Sequence, residues 1–253
     1  MRSNLFLIIF LFFFSPVFAG NSNKWFTIGA RGTVTGPFLI NSNEYKDNGL
    51  KHNFAIGGSG GAMIGFHFND WGSINVEGLY SIYSRKLKSA VDSLPWTSST
   101  TLTYLEFPIL FRAEWNFKYI EGGVLFGQLI GANGSYANEK YPKLDYDVKD
   151  IKENLNPSNT AIVFGWGTNL MGDGGLMLSL GIRLTYGLTD IVSDLGGKGK
   201  SYYPLADGTA ATAQSYKPTN TATVGIHLSL DFDLGYIVSS SCGRKHKFAL
   251  FGH

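Results

Sequence analysis

From residue 24 onward apolar and polar positions alternate along the chain, the period of an extended strand with two unlike faces. The clearest run is 175–189: Leu176, Leu178, Leu180, Ile182, Leu184, Tyr186 and Leu188 fall on one face, with Gly175, Met177, Ser179, Gly181, Arg183, Thr185, Gly187 and Thr189 on the other. The alternation returns at 221–234, where Val224, Ile226, Leu228, Leu230 and Phe232 oppose Gly225, His227, Ser229 and Asp231. It predicts six more strands, over about 25–35, 53–68, 73–85, 101–114, 118–133 and 159–171. In the fifth of the eight, Gln128 breaks the apolar face, and a bulge is expected to restore the phase.

The connections alternate in length. Asn69-Asp70-Trp71-Gly72, Trp115-Asn116-Phe117-Lys118 and Gly172-Asp173-Gly174 are tight turns, whereas 36–52, 86–100, 134–158 and 190–218 are long. Short turns at one end, long loops at the other and an even strand number describe an all-β, eight-stranded antiparallel up-and-down transmembrane β-barrel.

Which face points outward separates two readings. In a secreted soluble carrier of the lipocalin kind, the apolar face lines a cavity for a small apolar ligand. Here the other face is dominated by Gly, Ala, Ser and Thr, and its charges are few and mixed: Arg31, Glu77, Glu106, Arg112, Glu121, Arg183 and Asp231. That composition suits a narrow lumen. Aromatics gather at the short-turn end, where Phe66, Phe68, Trp71, Trp115, Phe117, Phe232 and Tyr236 are expected to form an interfacial girdle. The apolar face is therefore expected to meet lipid, and the soluble carrier stands as the alternative. An open sheet would leave unpaired backbone groups in hydrocarbon, so eight strands must close, and side chains fill a barrel of that size.

Composition sharpens the picture. Charged residues are 16% of the 253, below the roughly 25% of soluble domains. A net charge of +2 gives no reason to expect nucleic acid as a partner, and the single Cys242 excludes a disulfide framework. Residues 1–19 carry Arg2, an apolar run from Leu5 to Phe14 and a Val17-Phe18-Ala19 cleavage pattern, which predict a secretory signal peptide. The expected organisation is a signal peptide at 1–19, a barrel at 24–234 and a basic tail at 235–253. No second domain is expected. Location follows as an integral protein of the outer membrane, with long loops outside and termini in the periplasm.

At 103–134 the chain reads Tyr104-Leu105-Glu106-Phe107-Pro108-Ile109-Leu110-Phe111-Arg112, then a short turn, then Tyr119 with Gly122, Gly123 and Gly127. This stretch resembles the PorT-like outer-membrane β-barrel family of Bacteroidetes. The resemblance implies a barrel without enzymatic activity, acting through surface loops or as part of an envelope or secretion complex. Expected partners are thus outer-membrane lipid and the proteins of such a complex; the pattern gives no oligomeric state. One departure is the stretch at 235–253, since such barrels usually end near an aromatic strand terminus.

Candidate chemistry is sparse. His227, Ser229 and Asp231 share one face of one strand, but residues two apart stand in a row rather than converging as a hydrolase set must. Gly196-Gly197-Lys198-Gly199-Lys200-Ser201 lacks the first glycine of a phosphate-binding loop, with Asp194 in its place. Five histidines show no ligand spacing, and no cofactor or metal is expected. What remains is the charge cluster, read as structural. Counting residues from the turns predicts a lower group of Arg112, Glu77, Glu121 and Asp231, and a separate Glu106–Arg183 contact higher up.

Overall fold

The computed structural model describes residues 24–41, 50–53, 55–89, 95–138, 140, 142, 146–173, 176–193 and 217–238. The stretch at 1–19 expected to be a signal peptide, the expected loop at 196–201 and the residues from 239, with Cys242, lie outside the described residues.

Eight long strands form the wall: β1 (Lys24–Ile40), β3 (Gly57–Asn69), β4 (Gly72–Ser89), β5 (Trp96–Trp115), β6 (Lys118–Asn138), β8 (Ser158–Asp173), β9 (Leu176–Gly187) and β10 (Asn220–Val238). Each pairs antiparallel with its neighbours in the chain, and β1 pairs with β10 from Lys24↔Val238 to Ile40↔Asn220. That last pairing closes the ring and removes both sheet edges. Two short strands lie inside segments expected to be loops: β2 (Leu50–Asn53) pairs with β4, and β7 (Tyr146–Asp150) with β6. The last strand runs on to Val238, taking four residues that the sequence pattern gave to the tail.

The tight turns show why the wall folds back where it does. At the first, Asn69 Oδ1 accepts from the Trp71 N–H at 3.1 Å, an Asx turn that caps the hairpin. At the second, Asn116 (φ 45°) and Phe117 (φ 65°) both lie in the left-handed region, as a two-residue type I′ hairpin requires. A phenylalanine is strained there. Its carbonyl is held from the next hairpin by the Asn169 N–H at 2.7 Å and the Thr168 hydroxyl at 2.9 Å.

The faces divide by chemistry. Val76, Ile64, Phe107, Phe126, Ile162, Phe164, Ile182, Ile226 and Leu230 are exposed on the outside, while Arg31, Glu77, Glu106, Arg112, Glu121, Arg183 and Asp231 are buried within. An apolar exterior around a charged interior is the reverse of a soluble carrier, and that alternative fails here. Trp71, Trp115 and Phe117 are exposed at the tight-turn end. Phe68 is not: it is buried, stacked on Phe111 at 5.9 Å and edge-on to Trp71 at 6.1 Å. The Tyr236 side chain lies outside the described residues.

Gln128 stays on the outer wall. The expected bulge exists, but above it: Tyr104 pairs with Leu129 and Thr103 with Gly131, so the extra residue is Ile130.

The lumen also holds an apolar fraction that periodicity hid, because β5 and β6 are apolar on both faces. Leu110 and Leu125 pack inside against Ala161 and Val163 of β8. At the long-loop end Leu102, Tyr104, Leu129 and Ala132 meet Leu155, Ile191 and Val192. These last three come from connecting segments that fold inward, joined by a Leu155↔Val192 bridge and by Asn156, whose side-chain amide donates to the Asp190 and Val192 carbonyls. The mouth is capped by its own loops.

Candidate functional site

Strand register assembles the charged groups. Arg183 of β9 lies opposite Gly165 of β8, Gly165 opposite Glu121 of β6, and Glu121 opposite Arg112 of β5. A second row runs Glu77–Met63–Gly29–Asp231 across β4, β3, β1 and β10. Arg31, two residues above Gly29 on the same face of β1, reaches both acids of that row.

The result is a closed circuit. Arg31 donates to Glu77 Oε1 at 3.2 Å through Nε and to both carboxylate oxygens of Asp231 through its two terminal nitrogens. Arg183 donates to Glu77 at 2.7 and 2.9 Å and to Glu121 at 2.9 and 2.6 Å. Arg112 donates to Glu121 at 3.0 Å, lies 3.7 Å from Asp231, and places its guanidinium 4.2 Å from the centre of the Tyr119 ring. Going round, Asp231, Arg31, Glu77, Arg183, Glu121 and Arg112 alternate in sign, and each touches two of the other kind. Planar guanidinium forks suit such shared carboxylates, and three against three leaves no net charge in the ring. Glu114 approaches its edge, 3.7 Å from Arg112.

Two glycines make the room. A Cβ on Gly165 would meet the Glu121 side chain at 2.8 Å, and one on Gly29 would collide with the Asp231 carboxylate. The small residues of this face are clearances for charged neighbours.

Glu106 does not join Arg183. Its carboxylate accepts from the Ser81 hydroxyl at 2.5 Å and from Tyr83 at 2.8 and 2.9 Å, and no ion pair reaches it among the described residues. Counting from the turns failed because strands tilt in a closed barrel, so hydrogen-bonded rows climb around the wall. Arg183 shares its row with Glu121, and Glu106 with Gly127 and Asn159, higher on the slope.

His227 lies between Thr33 Oγ1 at 2.9 Å and an Arg183 terminal nitrogen at 3.5 Å from Nε2. A guanidinium only donates, so Nε2 accepts and the Nδ1–H points to Thr33. Asp231 is engaged by arginine, and the Ser229 hydroxyl makes no hydrogen bond. The three residues of β10 are not a catalytic set. Among the described residues no cluster of His, Cys, Asp or Glu is arranged to hold a metal.

Above the ring a cavity of about 20 Å³, room for a water or two, is bordered by Glu106, Tyr83, Thr35 and Arg183. The apolar cap lies beyond it. The hydroxyls of Ser81 and Tyr83 were not singled out by sequence pattern, and only their place on the inward phase marks them; Tyr119 stood in the family-like stretch without a role.

Solved structures similar to this chain include three bacterial surface or outer-membrane proteins. Neisserial surface protein A has 10% identity and a TM-score of 0.34, over 81% of this chain and 96% of that one. Ail of Yersinia pestis has 12% identity and a TM-score of 0.37, over 83% and 99%. OprG of Pseudomonas aeruginosa has 9% identity and a TM-score of 0.32, over 84% and 96%. No curated protein sequence matches the chain. The family model described as outer membrane protein beta-barrel domain matches residues 18–193, and the chain belongs to that family of integral outer-membrane proteins.

Proposed function

We propose that this chain is a closed, non-enzymatic barrel that works through the end bearing the long loops, as part of an envelope or secretion assembly. The observation that carries the reading is the ring: six buried charges from six strands engage one another, and the seventh, Glu106, is held by the Ser81 and Tyr83 hydroxyls. The apolar cap lies above the ring, and both fill the lumen with side chains, which favours activity at the surface. Loops on a rigid scaffold commonly carry binding. The signal-peptide pattern at 1–19 and the alternation of turn lengths support long loops outside and termini in the periplasm. The resemblance of 103–134 to PorT-like barrels supports a place beside secretion machinery.

Two measurements test this. The purified chain in planar bilayers is expected to show no steady conductance; a large stable channel would overturn closure. Cross-linking in outer membranes is expected to capture envelope proteins with the intact chain and to lose them when 195–215 is replaced by a short turn. Unchanged capture would overturn the role of the loops.

A further inference from the structure

The outer wall changes character abruptly on one side. On β4 the outward positions are Val76, Gly78, Tyr80 and Ile82, then Ser84, Lys86 and Lys88. On β5 they are Phe111, Ile109, Phe107 and Leu105, then Thr103, Thr101, Ser99 and Thr97. Register puts the two changes at the same level, since Tyr80 pairs with Leu105, Ile82 with Thr103, Lys86 with Ser99 and Lys88 with Thr97. On β6 the outward Gln128 lies opposite Leu105, and Asn133 and Ser135 follow opposite Thr101 and Ser99. This is where the apolar band of the barrel ends.

Above that line the described parts of β2, β4, β5 and β6 carry Lys51, Arg85, Lys86 and Lys88 and no carboxylate. Lys86 and Lys88 are exposed on the outward face, about 7 Å apart along the strand. Lys51 is the register partner of Lys88. Beyond β6 the same row reaches β7, where the exposed Asp150 is the register partner of Asn133, two strands away from Thr101.

We infer that this face of β4 and β5 is a binding site for a phosphate-bearing lipid of the outer leaflet. Lys86 and Lys88 take the phosphate, the hydroxyls of Ser84, Ser99 and Thr101 complete its hydrogen bonds, and an acyl chain lies along the apolar wall below. Lys86 and Lys88 are the second and third outward positions above the hydrocarbon boundary, near the depth of lipid phosphates, and a lysine loses least when it meets an anion there. The inference rests on the proposed topology, with this end of the barrel outside.

The test uses the full mature chain in detergent, titrated with bisphosphorylated lipid A and with dephosphorylated lipid A, and compares Lys86→Gln/Lys88→Gln with Lys86→Arg/Lys88→Arg. The glutamine pair is expected to weaken binding of the phosphorylated lipid about thirtyfold, the arginine pair to retain it, and neither to change binding of the dephosphorylated lipid. Equal affinity of wild type and the glutamine pair would overturn the site. Competition by inorganic phosphate at the same concentration as lipid A would make it a free-anion site and overturn the lipid. Topology is read separately: Lys88→Cys in a Cys242→Ser background is expected to react on intact cells with a membrane-impermeant maleimide. Absence of labelling in a folded chain would overturn the topology, and the outer-leaflet assignment with it, whatever the lipid titration gives.

Discussion

Toward the tight-turn end of the lumen, six side chains from six strands hold one another by charge; at the mouth, Leu155, Ile191 and Val192 arrive from connecting segments and pack on Leu102 and Leu129. Both block the barrel, but they respond differently to loss. An ion in the ring is buried away from bulk water, so removing one partner strands the other, whereas each residue of the cap contributes its own packing. The ring is built from the wall itself, and the cap from the segments that connect its strands.

The largest effect expected from this difference is at Arg183. Arg183→Met leaves two arginines facing three acids and is expected to destabilise by about 3–5 kcal/mol. Adding Glu77→Leu restores two against two, Arg31 with Asp231 and Arg112 with Glu121, so the double variant is expected to be more stable than Arg183→Met alone. Adding Glu106→Leu instead is expected to bring no recovery. Urea unfolding in lipid vesicles, followed by heat-modified gel mobility, measures all three. Additive losses with Glu77→Leu would mean that the ring is not cooperative.

Next in size is the cap. Leu155→Ala removes a buried side chain whose surroundings are loop segments able to collapse, and is expected to cost about 2 kcal/mol, the low end for such truncations. In planar bilayers each single variant is expected to stay closed, because the other block remains, and only Leu155→Ala combined with Arg183→Met is expected to flicker open. Conductance in either single variant would mean that the block left in place does not close the lumen by itself.

The contrast also explains what the sequence made legible. Alternation marked all eight wall strands and their inward faces, because lipid outside and a crowded lumen inside impose unlike composition on successive residues. It was silent about the cap, since Leu155, Ile191 and Val192 lie in connections with no period to read. It also missed Leu110, Leu125 and Leu129, because β5 and β6 are apolar on both faces. The seven charged residues could be placed on the inward face one strand at a time, but their partners depend on stagger between strands. Arg183 meets Glu77 and Glu121 rather than Glu106 for that reason. Gly29 and Gly165 carry a related signal: glycine on an inward phase marks where a neighbour's long side chain must lie. Gln128, an irregularity in sequence, becomes ordinary in place, for it lies where β4 and β5 also turn polar.

The smallest effect separates two glutamates that look alike in the sequence, both buried and both on the inward face. Glu77 holds two arginines, while Glu106 holds two hydroxyls. A hydroxyl donates or accepts as its partner demands, so in Glu106→Gln the side-chain oxygen still accepts from one hydroxyl, and the other can rotate to accept from the new amide. A neutral hydrogen bond contributes about 0.5–1.5 kcal/mol net, so exchanging one such arrangement for another is expected to change stability by less than about 1 kcal/mol. Glu77→Gln offers one acceptor oxygen to two guanidinium groups and points an amide N–H at a cation that cannot accept. It leaves three arginines with two acids in the ring and is expected to cost at least about 2 kcal/mol more than its counterpart. Both variants keep the volume and reach of the original side chain, so packing cancels from the comparison. Equal losses in the same urea titration would mean that burial, and not the pairing of charges around the ring, sets the energetics of the lumen.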